Sequence, residues 1–341
     1  MGAQRVGVVG ASGYTGAELL RLLASHPDLD LVLATSREFA GRAVADVYPN
    51  VGLPLPFTEL DMDALASLDL VFLALPHGAS MELGVALLER GIAVVDLSAD
   101  FRLRDPAAYP AWFGSEHTAP SLLEQWVYGI PELHREAIKG ASAVANPGCY
   151  PTAALIALAP LLASGIIDSA TITVTAASGV SGAGRSLSPG VHFSHVDGNF
   201  KAYGLPTHKH TPEIEQELSL LAGTDVRITF IPHLVPMPRG LLATCIASRA
   251  TDADPNDAAD AFYADEPFVR VLRDRLPETK YTHGSNHCLL SYAVDARTDR
   301  VVALAAIDNL GKGAAGQAIQ NANLMLGLAE TAGLAGHGIY P

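Results

Sequence analysis

The sequence predicts an α/β chain in two parts: a parallel sheet covered by helices on both faces, then an α+β region built on a larger mixed sheet. Three observations lead there. Up to about residue 145, short continuous apolar runs alternate with helical patterns, the signature of βαβ units. Beyond 146 the apolar runs are separated instead by loops rich in Gly, Ser, His and Pro. The 341 residues are 49% hydrophobic and 17% charged, ample for a sizeable core and suggestive of about two domains.

In chain order, Arg5–Val9 is the first predicted strand, and Thr15–Ser25 the first helix, with Leu19, Leu20, Leu22 and Leu23 on its apolar side. Strands follow at Leu29–Ala34 and Leu70–Leu75, a helix at Ala79–Arg90, then strands at Ala93–Leu97 and Ala141–Ala145. A stretch rich in Pro, Tyr and Trp over 105–131 interrupts this rhythm. In the second part, Val174, Val226–Ile231, Leu242–Ala247, Leu289–Val294 and Val301–Ile307 mark the strands of a mixed or antiparallel sheet. Loops over 178–212, 232–240 and 283–287 are of the length that usually carries function or binds partners. Ala314–Thr331 places Ile319, Ala322, Leu326 and Ala329 at helical spacing, so a C-terminal helix is predicted.

Composition narrows the function classes. With 22 Lys+Arg against 36 Asp+Glu the net charge is −14, so no basic surplus exists to neutralise nucleic-acid phosphates. The hydrophobic share excludes intrinsic disorder. Three cysteines, Cys149, Cys245 and Cys288, form neither a disulfide framework nor a zinc-ligand pattern; no metal is expected, and a reducing, cytoplasmic setting is. The N-terminal apolar run ends at once in Gly-rich sequence, so it reads as a buried strand rather than a signal peptide. Val6 breaks the myristoylation pattern, and stretches such as 153–163 contain Pro and fall short of the ~20 residues a membrane span needs. A soluble protein without membrane partners is expected.

Gly10-Ala11-Ser12-Gly13-Tyr14-Thr15-Gly16 follows the first strand and opens the first helix. Such a strand–turn–helix offers backbone N–H groups and a helix N-terminus to a phosphate, and its glycines let a dinucleotide approach. Gly10, Ser12, Gly13, Tyr14, Thr15 and Gly16 are therefore candidate cofactor residues of a Rossmann-type domain. The second strand ends in Ser36-Arg37, where an NAD site would carry an acid for the ribose hydroxyl. A hydroxyl beside an Arg suits a 2′-phosphate, which favours NADP(H) over NAD; the competing reading of Arg37 is an ordinary surface charge. His77, in Leu75-Pro76-His77-Gly78 at the end of a parallel strand, stands where α/β sheets bind ligands and is placed near the cofactor.

Asn146-Pro147-Gly148-Cys149-Tyr150-Pro151-Thr152 is the most informative segment. It joins a predicted strand to an apolar helix, with Pro151 where a first-turn proline is tolerated. A cysteine at a helix start feels the positive end of the dipole, which lowers its pKa and favours the thiolate. A small buried cysteine is the bland alternative; the Pro-Gly elbow favours a nucleophile. Cys245 lies inside an apolar strand and reads as core, while Cys288 beside His287 stays undecided.

Gly10–Gly16, NPGCYPT at 146–152, SGVSGAGR at 178–185, HKHTPEI at 208–214 and HLVPMPRG at 233–240 occur in that order. Together they resemble the N-acetyl-gamma-glutamyl-phosphate reductase family, NADPH-dependent enzymes of arginine biosynthesis related to the aspartate-semialdehyde dehydrogenases. The resemblance spans essentially the whole chain, with little matched over 105–131. It implies an NADP-binding domain over 1–145, rejoined by the C-terminal helix within 312–341, and a catalytic, substrate-binding and oligomerisation domain over 146–311. It implies a small anionic acyl-phosphate substrate; low surface charge and long interdomain loops point to a homo-oligomer, dimer or tetramer.

By motif, Cys149 matches the family's nucleophile and the His208/His210 segment its acid/base. Positions i and i+2 of an extended stretch point to opposite faces, so one of the two faces Cys149; the sequence does not say which. Thr211-Pro212-Glu213 reads as N-cap, N1 proline and first-turn acid, so Glu213 is either a cap or a substrate-amide contact. A thiolate that expels phosphate leaves a thioester, which hydride from NADPH converts to a thiohemiacetal and then the aldehyde, with a histidine moving the proton. The anionic substrate needs cations, for which Arg185 and Arg239 are candidates, with a structural salt bridge as the alternative for each. Asn286, in Gly284-Ser285-Asn286, is a weaker substrate candidate, and Gly182 and Asn309 are candidates near the cofactor. The competing functions are the same chemistry on a one-carbon-longer aminoadipyl phosphate of lysine biosynthesis, and a non-catalytic NADP(H)-binding sensor.

Overall fold

The computed structural model describes residues 2–340, which divide into two compact units. One runs to Pro147 and takes back Ala314–Gly336; the other comprises Gly148–Gly313 with residues 337–340.

The first unit holds a seven-stranded sheet: β1 (Gln4–Val9), β2 (Leu29–Thr35), β3 (Phe57–Thr58), β4 (Leu70–Leu73), β5 (Ala93–Asp96), β6 (Val127–Tyr128) and β7 (Ala143–Ala145). The order is β3-β2-β1-β4-β5-β7-β6, and every pairing is parallel. β4 and β7 are buried throughout, which is why they read as unbroken apolar runs. The chain builds outward in one direction to β3, then restarts at β4, so the switch point lies between β1 and β4. The two-residue strands β3 and β6 lie outside the predicted set; neither is long enough to show a period. The 105–131 stretch contains the short helix Ala108–Phe113, a 3₁₀ turn at Pro120–Gln125 and β6.

Residue by residue, Gly316–Met325 is a buried helix packed against Tyr14–Leu23 and Pro131–Ile138. Two of its amides reach one carbonyl: Gln317 and Asn321 each donate to the Gly129 carbonyl at 2.8 Å. The helix stops short of the predicted Thr331. Gly327 adopts φ +67°, its N–H reaches Leu324 O at 3.2 Å and Leu328 N–H reaches Asn323 O at 2.8 Å, a Schellman end.

The second unit carries β8 (Thr173–Gly179), β9 (Lys201–Ala202), β10 (Thr229–Val235), β11 (Leu241–Ser248), β12 (Val269–Val271), β13 (Cys288–Asp295) and β14 (Arg300–Ile307). Their order is β12-β13-β14-β11-β8-β10-β9. β8–β10 and β12–β13 are parallel and the other pairs antiparallel, the mixed sheet predicted. Along β11, Leu241, Ala243, Cys245 and Ala247 are buried while Leu242, Thr244 and Ile246 alternate with them half-exposed. Helix Cys149–Ala163 packs on this sheet and is buried from Tyr150 to Leu161, as an apolar circumference requires. Cys245 is core, its thiol pushed up to about 12 by burial; Cys288, undecided in sequence, is fully buried at the start of β13. Among the described residues no helix is long and apolar enough to cross a membrane.

Candidate functional site

In the first unit the glycine turn caps the C-terminal end of β1. Gly10 sits at φ +81°, and a Cβ there would lie 3.0 Å from the Ala74 carbonyl carbon. A Cβ at Gly16 would meet Ala11 Cα at 2.6 Å, so the turn closes only with glycine at both places. Gly13 is the N-cap of helix Tyr14–Leu23; Tyr14 is 42% exposed and Thr15 half-buried. Ser36 Oγ donates to Ser12 Oγ at 2.9 Å, tying the end of β2 to the turn, and Arg37 stands exposed beside it. Tyr48 OH donates to the Ser12 carbonyl at 2.7 Å.

On the other side of the switch point, the loop after β4 carries His77. Its Nδ1 pairs with Asp100 Oδ1 at 2.5 Å. The same fully buried carboxylate accepts the Gly78 N–H at 2.7 Å and the Ser80 N–H at 2.9 Å. Burial alone would raise the Asp100 pKa; the bonds from His77, Gly78 and Ser80 hold it below the usual range. Two residues of the Pro/Tyr/Trp stretch brace it: Tyr109 OH and His117 Nε2 meet the Asp100 carbonyl at 2.7 and 2.8 Å. Nearby Asp96 is pushed up to about 6 by burial, against hydrogen bonds from Ser98. Asp100 was not among the sequence candidates, though an acid just past a parallel strand's end is the signal that could have found it.

In the second unit, Cys149 is the first residue of helix Cys149–Ala163, with Gly148 as N-cap in extended conformation. It is half-buried. Gly148 N–H donates to Glu213 Oε1 at 2.8 Å. Glu213, 2% exposed, thus serves the loop before Cys149 as well as lying in the first turn of its own helix. A Cβ at Gly148 would stand 2.7 Å from His210 Cε1, so that imidazole packs directly against the residue preceding the cysteine. A Cβ at Gly313 would lie 2.7 Å from Cys149 Cβ. Gly313 belongs to a π-helical turn, Gly311–Ala315, of the kind often found at functional sites.

The two histidines differ in surroundings. His208 Nδ1 accepts the His210 N–H at 3.2 Å, which leaves the proton of the neutral ring on Nε2. Burial, then Lys209, lowers its pKa to about 4. His208 packs edge-on against Tyr150, Tyr203 and Phe230. Tyr150 OH donates to the His233 carbonyl at 2.8 Å and Tyr203 OH to Tyr150 OH at 3.3 Å. Burial lifts the Tyr203 phenol to about 12 and Tyr150 higher still, so both remain protonated. Thr211 is not the N-cap expected from sequence. His210 holds that position, because its carbonyl accepts the first helical bond, from Ile214 N–H at 3.1 Å.

Asp308, fully buried, gathers the substrate candidates of the second unit. Its Oδ2 accepts Arg239 Nη1 at 3.2 Å and Gly284 N–H at 2.6 Å, and Oδ1 accepts Leu310 N–H at 2.9 Å. His283 Nε2 lies 3.0 Å from the Arg239 carbonyl. Asn309 spends both amide ends inside the unit, accepting Gly240 N–H at 2.8 Å and donating to Ser181 Oγ at 2.9 Å. A Cβ at Gly182 would meet Ser178 Oγ at 2.8 Å. Asn286 is 3% exposed, whereas Arg185 is on the surface. Among the described residues no cluster of His, Cys, Asp and Glu is arranged to hold a metal ion.

Residues 5–141 match the family model for the semialdehyde dehydrogenase NAD binding domain, and 149–309 the one for the semialdehyde dehydrogenase dimerisation domain. The chain is 52% identical to the N-acetyl-gamma-glutamyl-phosphate reductase of Desulforudis audaxviator and 53% identical to that of Symbiobacterium thermophilum, each over 99% of both chains. Its fold is similar to aspartate semialdehyde dehydrogenase II from Vibrio cholerae, complexed with ASA, at TM-score 0.76 and 17% identity over 96% of this chain and 99% of that one. It is similar as well to an aspartate semialdehyde dehydrogenase with NADP from Candida albicans, at TM-score 0.71 and 17% identity over 95% and 98% of the two chains.

Proposed function

We propose a reaction from the premise that this chain belongs to the N-acetyl-gamma-glutamyl-phosphate reductase branch of the semialdehyde dehydrogenase family. It is an oxidoreductase of the phosphorylating aldehyde dehydrogenase kind with a nicotinamide-dinucleotide-binding domain. The proposed reaction is reduction of N-acetyl-gamma-glutamyl phosphate to N-acetylglutamate semialdehyde with release of phosphate, using NADPH, in arginine biosynthesis. What carries it is the setting of Cys149: first residue of a buried helix, preceded by a glycine fixed by Glu213 and packed on His210, and backed by Gly313.

The helix dipole favours the Cys149 thiolate, which attacks the acyl carbon; the C–O bond to phosphate breaks and its electron pair leaves with phosphate. The thioester that remains is the substrate of the second half-reaction. When bound, NADPH supplies the hydride. His210 gives its proton to the developing alkoxide and takes one back as the C–S bond breaks and the thiolate returns. His208, held neutral, fixes the turn that places His210. Arg239, aimed by Asp308, and the exposed Arg185 are the cations offered to the substrate's carboxylate and phosphoryl groups.

The dinucleotide fits the first unit on two counts: the Gly10–Gly16 turn admits no Cβ at its ends, and Arg37 offers an exposed guanidinium just past the end of β2. Gly10, Ser12, Gly13, Tyr14, Thr15, Gly16 and His77 would hold it, and Arg37 is the residue that favours NADP(H). A homo-oligomer is proposed as well. The dimerisation-domain match and the half-exposed sheet face with Leu242, Ile246, Val302 and Leu304 support it.

The test is phosphate-dependent NADPH formation from N-acetylglutamate semialdehyde, followed at 340 nm, with Cys149→Ser as control. Wild-type turnover with loss in the Ser variant supports the reading; full activity in the variant overturns it. A comparison with the aminoadipyl semialdehyde decides the chain length, since one methylene supplies only about 10–200-fold selectivity.

A further inference from the structure

Arg239 is held at two points by one pair of neighbours. Its Nη1 lies 3.2 Å from Asp308 Oδ2, and the same oxygen accepts the Gly284 N–H at 2.6 Å. Its carbonyl lies 3.0 Å from His283 Nε2, which donates there because a carbonyl only accepts. So His283 fixes the main chain of Arg239, and Gly284 fixes the carboxylate that aims its guanidinium. The approach is close: a Cβ at Gly240 would stand 2.7 Å from Thr279 Cβ, in the same loop. The Arg239 side chain is 29% exposed, so it meets solvent from this setting.

Residues 337–340 lie against that loop. They belong to the second unit, whereas Ala314–Gly336 before them belongs to the first. Ile339 N–H donates to the His283 carbonyl at 2.8 Å. The Ile339 side chain lies over Gly284, where a Cβ would stand 3.7 Å from its Cδ1. A Cβ at Gly338 would come 2.5 Å from the Tyr281 carbonyl oxygen, so only glycine lets the segment pass so near. The Tyr340 ring stands 5.5 Å from that of Tyr281. Three consecutive residues thus engage Tyr281, His283 and Gly284. Burial does not explain where they lie, since Ile339 and Tyr340 are 72% and 60% exposed. Contact with the loop does.

We infer that residues 337–340 are a strap that positions Arg239, with Ile339 as its positioning residue. The Ile339 N–H holds the His283 carbonyl, and through His283 and Gly284 it holds the guanidinium offered to the substrate. This rests on the substrate role of Arg239 proposed above. A guanidinium grips a carboxylate or phosphoryl group through a planar fork, so its hold depends on orientation as well as charge. A loop released on one side lets the Arg239 carbonyl and the Asp308 carboxylate shift, and the fork with them. The strap thereby governs anion binding rather than hydride transfer.

The experiment uses the phosphate-dependent oxidation of N-acetylglutamate semialdehyde, with kcat and the KM values for semialdehyde, phosphate and NADP⁺ measured separately. The variants are Ile339→Pro, which deletes the N–H, Gly338→Val, which lifts the segment off Tyr281, Ile339→Ala, which keeps the N–H, and Arg239→Lys. Ile339→Pro and Gly338→Val should each raise KM for semialdehyde or phosphate about three- to tenfold, the size of one net hydrogen bond. It should be the same KM that Arg239→Lys raises, with kcat and KM for NADP⁺ unchanged and Ile339→Ala close to wild type. In the double variant Ile339→Pro/Arg239→Lys, the proline should add little to the lysine. A merely structural role would lower the melting temperature and leave every KM alone, and that result overturns the inference. So does an equal rise in all three KM values. Either strap variant decides the matter alone if the other fails to fold. Arg239→Lys with wild-type KM for both anions overturns instead the substrate role of Arg239 in the proposed function.

Discussion

Glu213 accepts the Gly148 N–H at 2.8 Å across 65 residues of sequence, so the helix that follows the histidine pair also fixes the residue before Cys149. Glu213→Ala leaves a buried N–H without an acceptor, at a cost of about 1–3 kcal/mol in unfolding free energy. It also frees the elbow, and a displacement near 1 Å at a reacting group lowers kcat about 10²-fold. Glu213→Gln keeps an acceptor and should retain most of both. Urea unfolding and steady-state rates on the two variants check this; equal behaviour of Ala and Gln would remove Glu213 from the elbow.

His210→Asn is expected to lower kcat by roughly 10²–10⁴-fold with little change in stability, the range for loss of a general acid/base. His208→Asn should instead act mainly through the fold. A pH–rate profile distinguishes them, because the limb carried by the acid/base should vanish in His210→Asn and persist in His208→Asn.

Acid should destabilise the protein partly through its neutral histidines. Burial lowers both His208 and His287 from 6.5 to about 4. A histidine depressed in the folded state contributes stability that is fully present above pH 6.5 and is lost as pH falls toward 4, up to about 3 kcal/mol for His208 and less for the less buried His287. Asp96, raised to about 6, acts in the opposite sense over part of that window. The isolating comparison is therefore urea midpoints at pH 7.5, 5.5 and 4.5 for wild type against His208→Asn, whose decline should be the shallower.

Arg37→Ala should weaken NADPH binding by roughly 10–100-fold while leaving NADH binding nearly unchanged, since a charge-assisted bond to the 2′-phosphate is worth about 1.5–3 kcal/mol. Competition between the two dinucleotides in one titration reads this directly. An equal loss for both would assign Arg37 to the surface.

Much of the fold was legible in sequence for a definite reason. Strands buried on both faces, such as β4, are unbroken apolar runs, and those on the mixed sheet, such as β11, alternate. Two-residue β3 and β6 carry no period, and the helix Gly316–Met325 is buried although it carries amides, of which Gln317 and Asn321 donate to the Gly129 carbonyl. The glycine turn and the cysteine elbow were legible because each is a contiguous run with a local conformational demand. Asp100 and Asp308 were not. What makes them matter is the company of Ser80, Arg239 and Gly284, up to 69 residues away, which no local pattern records.

The return of Ala314–Gly336 to the first unit has a consequence for how the protein is made. The helix that seals that unit leaves the ribosome only after the whole of Gly148–Gly313. At ~5–20 residues per second the nascent N-terminal half waits roughly 10–30 s with the surfaces of Tyr14–Leu23 and Pro131–Ile138 uncovered. The dinucleotide-binding half is begun first yet sealed only after nearly all of the half that carries the nucleophile has been made.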